Sequence, residues 1–84
     1  MYKIIFSDKA KREFNKLDKQ IQNRILKVLE RIKIRPEVHL IKLINDPGYK
    51  LRVGDYRLIV DLDKNQLQIS VIKVGHRKNI YKNP

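Results

Sequence analysis

Apolar residues recur at every second position from Tyr49 to Val60, with Tyr49, Leu51 and Val53 before a break and Tyr56, Leu58 and Val60 after it. A period of two marks strands that bury one face. The break is Gly54-Asp55, two residues with glycine first, as the type II′ turn of a β-hairpin requires. Counting outward pairs Val53 with Tyr56, Arg52 with Arg57, and Leu51 with Leu58. The apolar residues share the face turned to a core, and Lys50, Arg52 and Arg57 share the other. Like charges directly opposite one another destabilise a sheet. A hairpin that keeps two facing arginines is therefore expected to offer them an anion.

The periodicity changes on either side of this hairpin. Tyr2 to Phe6 is a short β-rich run, and Ser7 follows as a helix N-cap with Asp8 in the first turn. Ala10, Phe14 and Leu17 recur at helical spacing, and Asp18 reads as a second N-cap. Behind it Ile21, Ile25, Val28, Leu29 and Ile32 form an apolar stripe. Pro36 disfavours helix at Arg35, so the segment predicts an αα-hairpin with one apolar face. Glu37 to Gly48 reads as irregular, with His39 to Ile44 either a short strand or a tucked loop, and Asn45-Asp46-Pro47-Gly48 as a turn. A last strand is predicted from Leu67 to Val74, after a turn around Lys64-Asn65 and before Gly75. The expected pairs are Leu62 with Leu67, Val60 with Ile69 and Leu58 with Val71, which sets Ile72 beside Arg57. The order β-α-α-β-β-β predicts an α+β fold in which the helical hairpin packs on one face of a mainly antiparallel sheet. The whole chain, 1–84, is expected to form a single domain.

Charge turns this outline toward a partner. The 84 residues carry a formal net charge of +11, and after Asp63 no acidic residue occurs, while Lys64, Lys73, Arg77, Lys78 and Lys82 follow it. Such an imbalance favours a polyanion, either nucleic acid or an acidic protein, over a merely solvated surface. Cysteine is absent, which removes disulfides and thiolate chemistry. Two histidines without an acidic cluster do not make a zinc site, and neither a metal nor another cofactor is expected. No apolar run reaches the length of a membrane span, and the start runs directly into a strand rather than a signal peptide. A cytoplasmic protein without membrane association is expected.

Within the basic face Arg57 is the leading candidate, because a guanidinium presents a planar fork suited to phosphate oxygens. Its plain alternative is a pairing with Asp55 or Asp61. Lys50 and Arg52 gain their case from clustering with Arg57. Arg77 and Lys78 leave the last strand just after Gly75, where functional loops commonly depart. Tyr81 lies in the same basic tail, either to stack on a base or to anchor the C-terminus. His76 stands among these cations, and His39 lies in an apolar segment that places it at the core edge. No carboxylate pair is available for acid–base work, and Ser7 is explained as a cap.

The run from Tyr49 to Val60 resembles the central signature of the RelE/ParE superfamily of bacterial and archaeal toxins. Val74-Gly75-His76-Arg77 followed by Ile80-Tyr81 resembles it too, as does Ser7-Asp8-Lys9-Ala10 with Phe14, Lys16, Leu17 and Asp18. The resemblance covers nearly the whole chain and is stronger toward the RelE branch. It implies a type II toxin that enters the ribosomal A site and cuts mRNA, held in check by a RelB-like antitoxin. The ParE branch shares the fold, poisons DNA gyrase and generally lacks the basic catalytic set. By the same resemblance Arg57, Arg77, Tyr81 and Lys50 are the expected catalytic residues. Arg52, Lys50, His76 and Lys78 are expected to contact RNA or ribosome. The implied chemistry is a metal-independent attack of the RNA 2′-OH on its own phosphodiester.

Overall fold

A computed structural model describes residues 1–79. Strand β1 (Lys3–Phe6) leads into α1 (Asp8–Asn15) and α2 (Lys19–Ile32); a single helical turn, α3 (Pro36–His39), precedes β2 (Ile41–Lys42), β3 (Tyr49–Val53), β4 (Tyr56–Asp63) and β5 (Gln68–His76). The five strands form one sheet in the order β1-β5-β4-β3-β2. β1 runs parallel to β5 and every other pairing is antiparallel.

The helices start where the sequence places them. Ser7 is extended, with φ −67° and ψ 162°, and its Oγ accepts the Ala10 N–H at 3.0 Å. Such a cap is worth about 1 kcal/mol. Asp18 holds the N-cap position of α2, but its side chain makes no capping bond. The junction is tied instead by Gln22, whose Nε2 donates to the Phe14 and Leu17 carbonyls at 3.1 Å each. Both carbonyls lie at the junction just where α1 ends. Ile25, Leu29 and Ile32 of the predicted stripe are buried, with Ile21 and Val28 packed at the margin.

The core lies between this stripe and one face of the sheet, where Leu51, Val53, Leu58, Val60, Ile69, Val71 and Val74 are buried. Fully burying each such side chain contributes about 1.5–3 kcal/mol. The segment expected to be irregular is partly ordered. Pro36 starts α3 at a position where its missing N–H costs nothing, and β2 pairs Ile41 with Lys50 and Lys42 with Tyr49. His39 is exposed rather than at the core edge. Among the described residues no helix is long and apolar enough to cross a membrane.

Two turns set the sheet's register, with different outcomes. Gly54 has φ +59°, the left-handed value that the first position of a type II′ turn demands. The β3–β4 pairs are those counted from the sequence. The β4–β5 pairs are not. Asp63 Oδ1 accepts the N–H groups of Asn65 and Gln66 at 3.0 Å each, Leu67 takes φ 53°, and Asp63 pairs with Gln68. Leu62 therefore meets Ile69 and Val60 meets Val71. A bulge then shifts the register again, so that Leu58 meets Val74 and Arg57 meets Gly75. Ile72 is not beside Arg57. The strand also runs through Gly75, ending at His76.

Candidate functional site

The face of the sheet turned away from the helices is divided by charge. At one end lie the cross-strand rows Lys3–Gln68–Asp63 and Ile5–Ser70–Asp61. At the other lie Ile41–Lys50–Ile59–Lys73 and Arg52–Arg57–Gly75. Alternation settles the facing: Ile59 stands between buried Leu58 and Val60, and Lys73 precedes buried Val74. Both acidic residues are confined to the far end.

Arg57 is the one buried charged residue among the described residues, at 9% exposure. It pairs with neither Asp55 nor Asp61. Its Nη1 donates to the carbonyls of Gly54 and Tyr56, each at 2.9 Å. The turn thus grips the guanidinium by one nitrogen and orients it. The Nε and Nη2 edge, which can bind an oxyanion bidentately, is not used by these bonds. Gly75 opposite has no side chain to cover it. Arg52 is exposed and directly across from Arg57, as counted. Lys50 is half-buried between Ile41 and Ile59.

The remaining expected residues divide. Arg77 donates its N–H to the Asp55 carbonyl at 2.8 Å, which carries β5's pairing to the level of the hairpin turn. His76 pairs with Tyr56, and the two rings meet edge to face at 5.4 Å. That contact puts His76 on the opposite face from Arg57. Its Nδ1 accepts the Lys78 N–H at 3.2 Å. Lys78 is exposed. Tyr81 lies outside the described residues. No three His, Asp or Glu side chains gather to hold a metal among the described residues.

Two cations join this end of the sheet without having been singled out. Arg24 of α2 reaches the hairpin tip, its Nη1 lying 2.9 Å from where a Cβ on Gly54 would stand. Lys73 comes to the face through the bulge. In a regular strand Val71 and Lys73 would share a face, and the ammonium would enter the core. The extra residue, Ile72, reverses the alternation. The signal was present in the sequence as Val71 and Val74, both apolar and three apart.

The bulge is secured from α1. Ser7 Oγ donates to the Ile72 carbonyl at 3.2 Å, and Glu13 Oε1 accepts the Val74 N–H at 2.8 Å. Backbone groups of β5 at and just past the bulge, beyond its last pair with β1, are thus satisfied by side chains. Glu13→Ala is expected to cost about 1–3 kcal/mol, the penalty for stranding a partly buried N–H. Glu13→Gln keeps an acceptor oxygen and should cost much less. Thermal unfolding of the two variants checks this, and equal losses would refute the assignment.

The profile of the ParE toxin of type II toxin–antitoxin systems, parDE, matches residues 4–81. An Escherichia coli protein named as a RelE-like toxin is 36% identical over 80 residues, 92% of this chain and 84% of that protein. The intact E. coli RelBE toxin–antitoxin complex contains a chain similar at TM-score 0.77 and 30% identity, covering 90% of this chain and 96% of that one. The RelBE2 complex of Mycobacterium tuberculosis matches in fold, with TM-score 0.84 at 22% identity over 93% of each chain.

Proposed function

From the premise that the chain belongs to the ParE toxin family of type II toxin–antitoxin systems and is a RelE-like toxin, we propose that it is a ribosome-dependent endoribonuclease. It stops translation in the cytoplasm by cutting mRNA in the ribosomal A site. A RelB-like antitoxin restrains it, as RelB accompanies RelE in the similar complexes.

The observation that carries this reading is Arg57: a nearly buried arginine whose guanidinium is oriented by two carbonyls of its own hairpin through Nη1 alone, opposite a glycine that has no side chain to cover it. RNA brings its own nucleophile. The 2′-oxygen attacks the adjacent phosphorus, the bond to the 5′-oxygen breaks, and a 2′,3′-cyclic phosphate remains. The 2′-OH proton must leave, and the departing 5′-oxygen must gain one. Between these steps the phosphoryl oxygens carry extra negative charge. Donors fixed in place before the reaction stabilise that charge without reorganisation. Arg57 holds the scissile phosphate, with Arg77 at the turn beside it. Lys50 and Arg52 hold the flanking backbone, and Lys78 with His76 meets the ribosome at the sheet's end. Tyr81 serves the proton transfer or stacks on a base. No metal is needed. The set contains no strong general base, so alignment of the 2′-OH is left to the ribosome.

Mapping mRNA 5′ ends after brief expression, and in a translating extract, tests the proposal. Cuts are expected within codons held in the A site. The same mRNA, free of ribosomes, is expected to be cut slowly or not at all. Rapid cutting of naked RNA at low enzyme concentration would overturn the ribosome requirement. The matching profile bears the ParE name, which favours one rival, a non-catalytic poison of DNA gyrase. Inhibited supercoiling together with intact mRNA would establish that rival instead.

A further inference from the structure

The cation that the bulge delivers has no role in the chemistry above, yet it stands in its midst. Lys73 lies across β4 from Lys50, with Ile59 between them. Two strand spacings put the two backbones about 10 Å apart. Along β5 it is two residues, about 7 Å, from Gly75, the residue facing Arg57. Lys73 is half-buried. The ion pair found among the described residues is Lys33–Glu30, on the helical side, and no hydrogen bond of Lys73's ammonium occurs among them. An ammonium kept on a face with Arg52 and Arg57 is repelled by these neighbours unless an anion spans them. The chain also commits Ser7 and Glu13 of α1 to the bulge that puts Lys73 there.

We propose that Lys73 is a further RNA-binding residue, gripping a backbone phosphate of the strand whose scissile phosphate lies at Arg57. The proposal rests on the endoribonuclease reading and deepens it. RNA then crosses the sheet along the Lys50–Ile59–Lys73 row, with a cation at each side of an apolar floor. Lys73 binds and positions the strand and takes no part in the proton transfers.

The test uses the full chain and a single-stranded 2′-O-methyl RNA, which cannot be cut because its 2′-oxygen is blocked. Its affinity is measured across a salt series. Each phosphate contact contributes about 0.7 to the slope of log affinity against log salt for a single strand. Lys73→Gln is expected to reduce the slope by about that amount, and Lys73→Arg to retain it. Lys3→Gln, on the same face at its acidic end, is expected to leave the slope unchanged. On programmed ribosomes Lys73→Gln should raise KM about ten- to hundredfold, the effect of one hydrogen bond to a charged group, with kcat within about twofold of the wild type. A Lys73→Gln variant that matches Lys3→Gln in slope and KM overturns the proposal. So does one that weakens only the antitoxin complex, since the lysine then serves the protein partner. If the wild type cuts no mRNA on ribosomes, the endoribonuclease reading fails, while the salt slopes still decide whether Lys73 holds RNA.

Discussion

Replacing Arg57 by alanine is expected to lower ribosome-dependent mRNA cleavage by about 10²–10³-fold, the usual cost of removing one pre-aimed donor from a developing oxyanion. The size of the effect follows from how this guanidinium is held. Its bonds to the Gly54 and Tyr56 carbonyls, both 2.9 Å, fix its plane before substrate arrives. Its near-complete burial strengthens whatever charge interaction it makes. Sequence reasoning alone, which sees two facing arginines, expects the alanine variant to be slightly stabilised. The structure changes that expectation, because Arg57 also braces the turn. Losing two hydrogen bonds costs roughly 1–3 kcal/mol, offset in part by relief of the repulsion with Arg52 and by water reaching the exposed Gly54. The fold should survive. Arg57→Lys separates charge from geometry: an ammonium keeps the charge but cannot hold the turn and a bidentate phosphate together. It should recover only part of the rate. Single-turnover cleavage on programmed ribosomes, beside thermal unfolding, makes the measurement. An alanine variant within about threefold of wild type would remove Arg57 from the chemistry.

The second large effect is expected at Tyr81, four positions past Arg77 in the sequence and, by the resemblance to the RelE branch, proposed to act in the site. Two roles give different outcomes. Tyr81→Phe keeps the ring and removes the hydroxyl. A tyrosine that transfers a proton should then lose about 10²–10⁴-fold in kcat, whereas a tyrosine that only stacks should stay near wild type. Tyr81→Ala is impaired in either case, since stacking on a base is worth about 1–3 kcal/mol. Cleavage rates of the two variants on the ribosome decide the matter. If Tyr81→Ala cuts like the wild type, the residue is only an anchor for the C-terminus.

Where local chemistry decides structure, the chain could be read directly. Gly54-Asp55 admits one tight turn, so the pairing of Arg52 with Arg57 followed by counting, and the structure has it. Ser7 acts within one helical turn of itself and sits where α1 begins; Pro36, read only as ending the helix before it, also begins the unexpected turn α3. The stripe from Ile21 to Ile32 needs only a partner surface. Asp18 shows the limit of such reading: it occupies the cap position, but Gln22 makes the bonds at that junction. The same limit applies to His76. Its place in a basic tail reads as part of the cationic face, whereas its ring packs on Tyr56 on the other side of the sheet.

By itself, then, the sequence determined β1, the two main helices, the β3–β4 hairpin with its register and the cationic side of that hairpin, because each depends on residues close along the chain; α3 and the end of β5 were not legible in it. Only the tertiary structure decided how β5 meets β4. Asp63 sets the preceding turn, and the bulge at Ile72 is held by Ser7 and Glu13, which lie 65 and 61 positions from the backbone groups they bind. No local pattern specifies hydrogen bonds of that span. Those bonds place a glycine opposite Arg57 and Lys73 on the working face. A one-residue change of alternation turns every later side chain of a strand to the other side of the sheet.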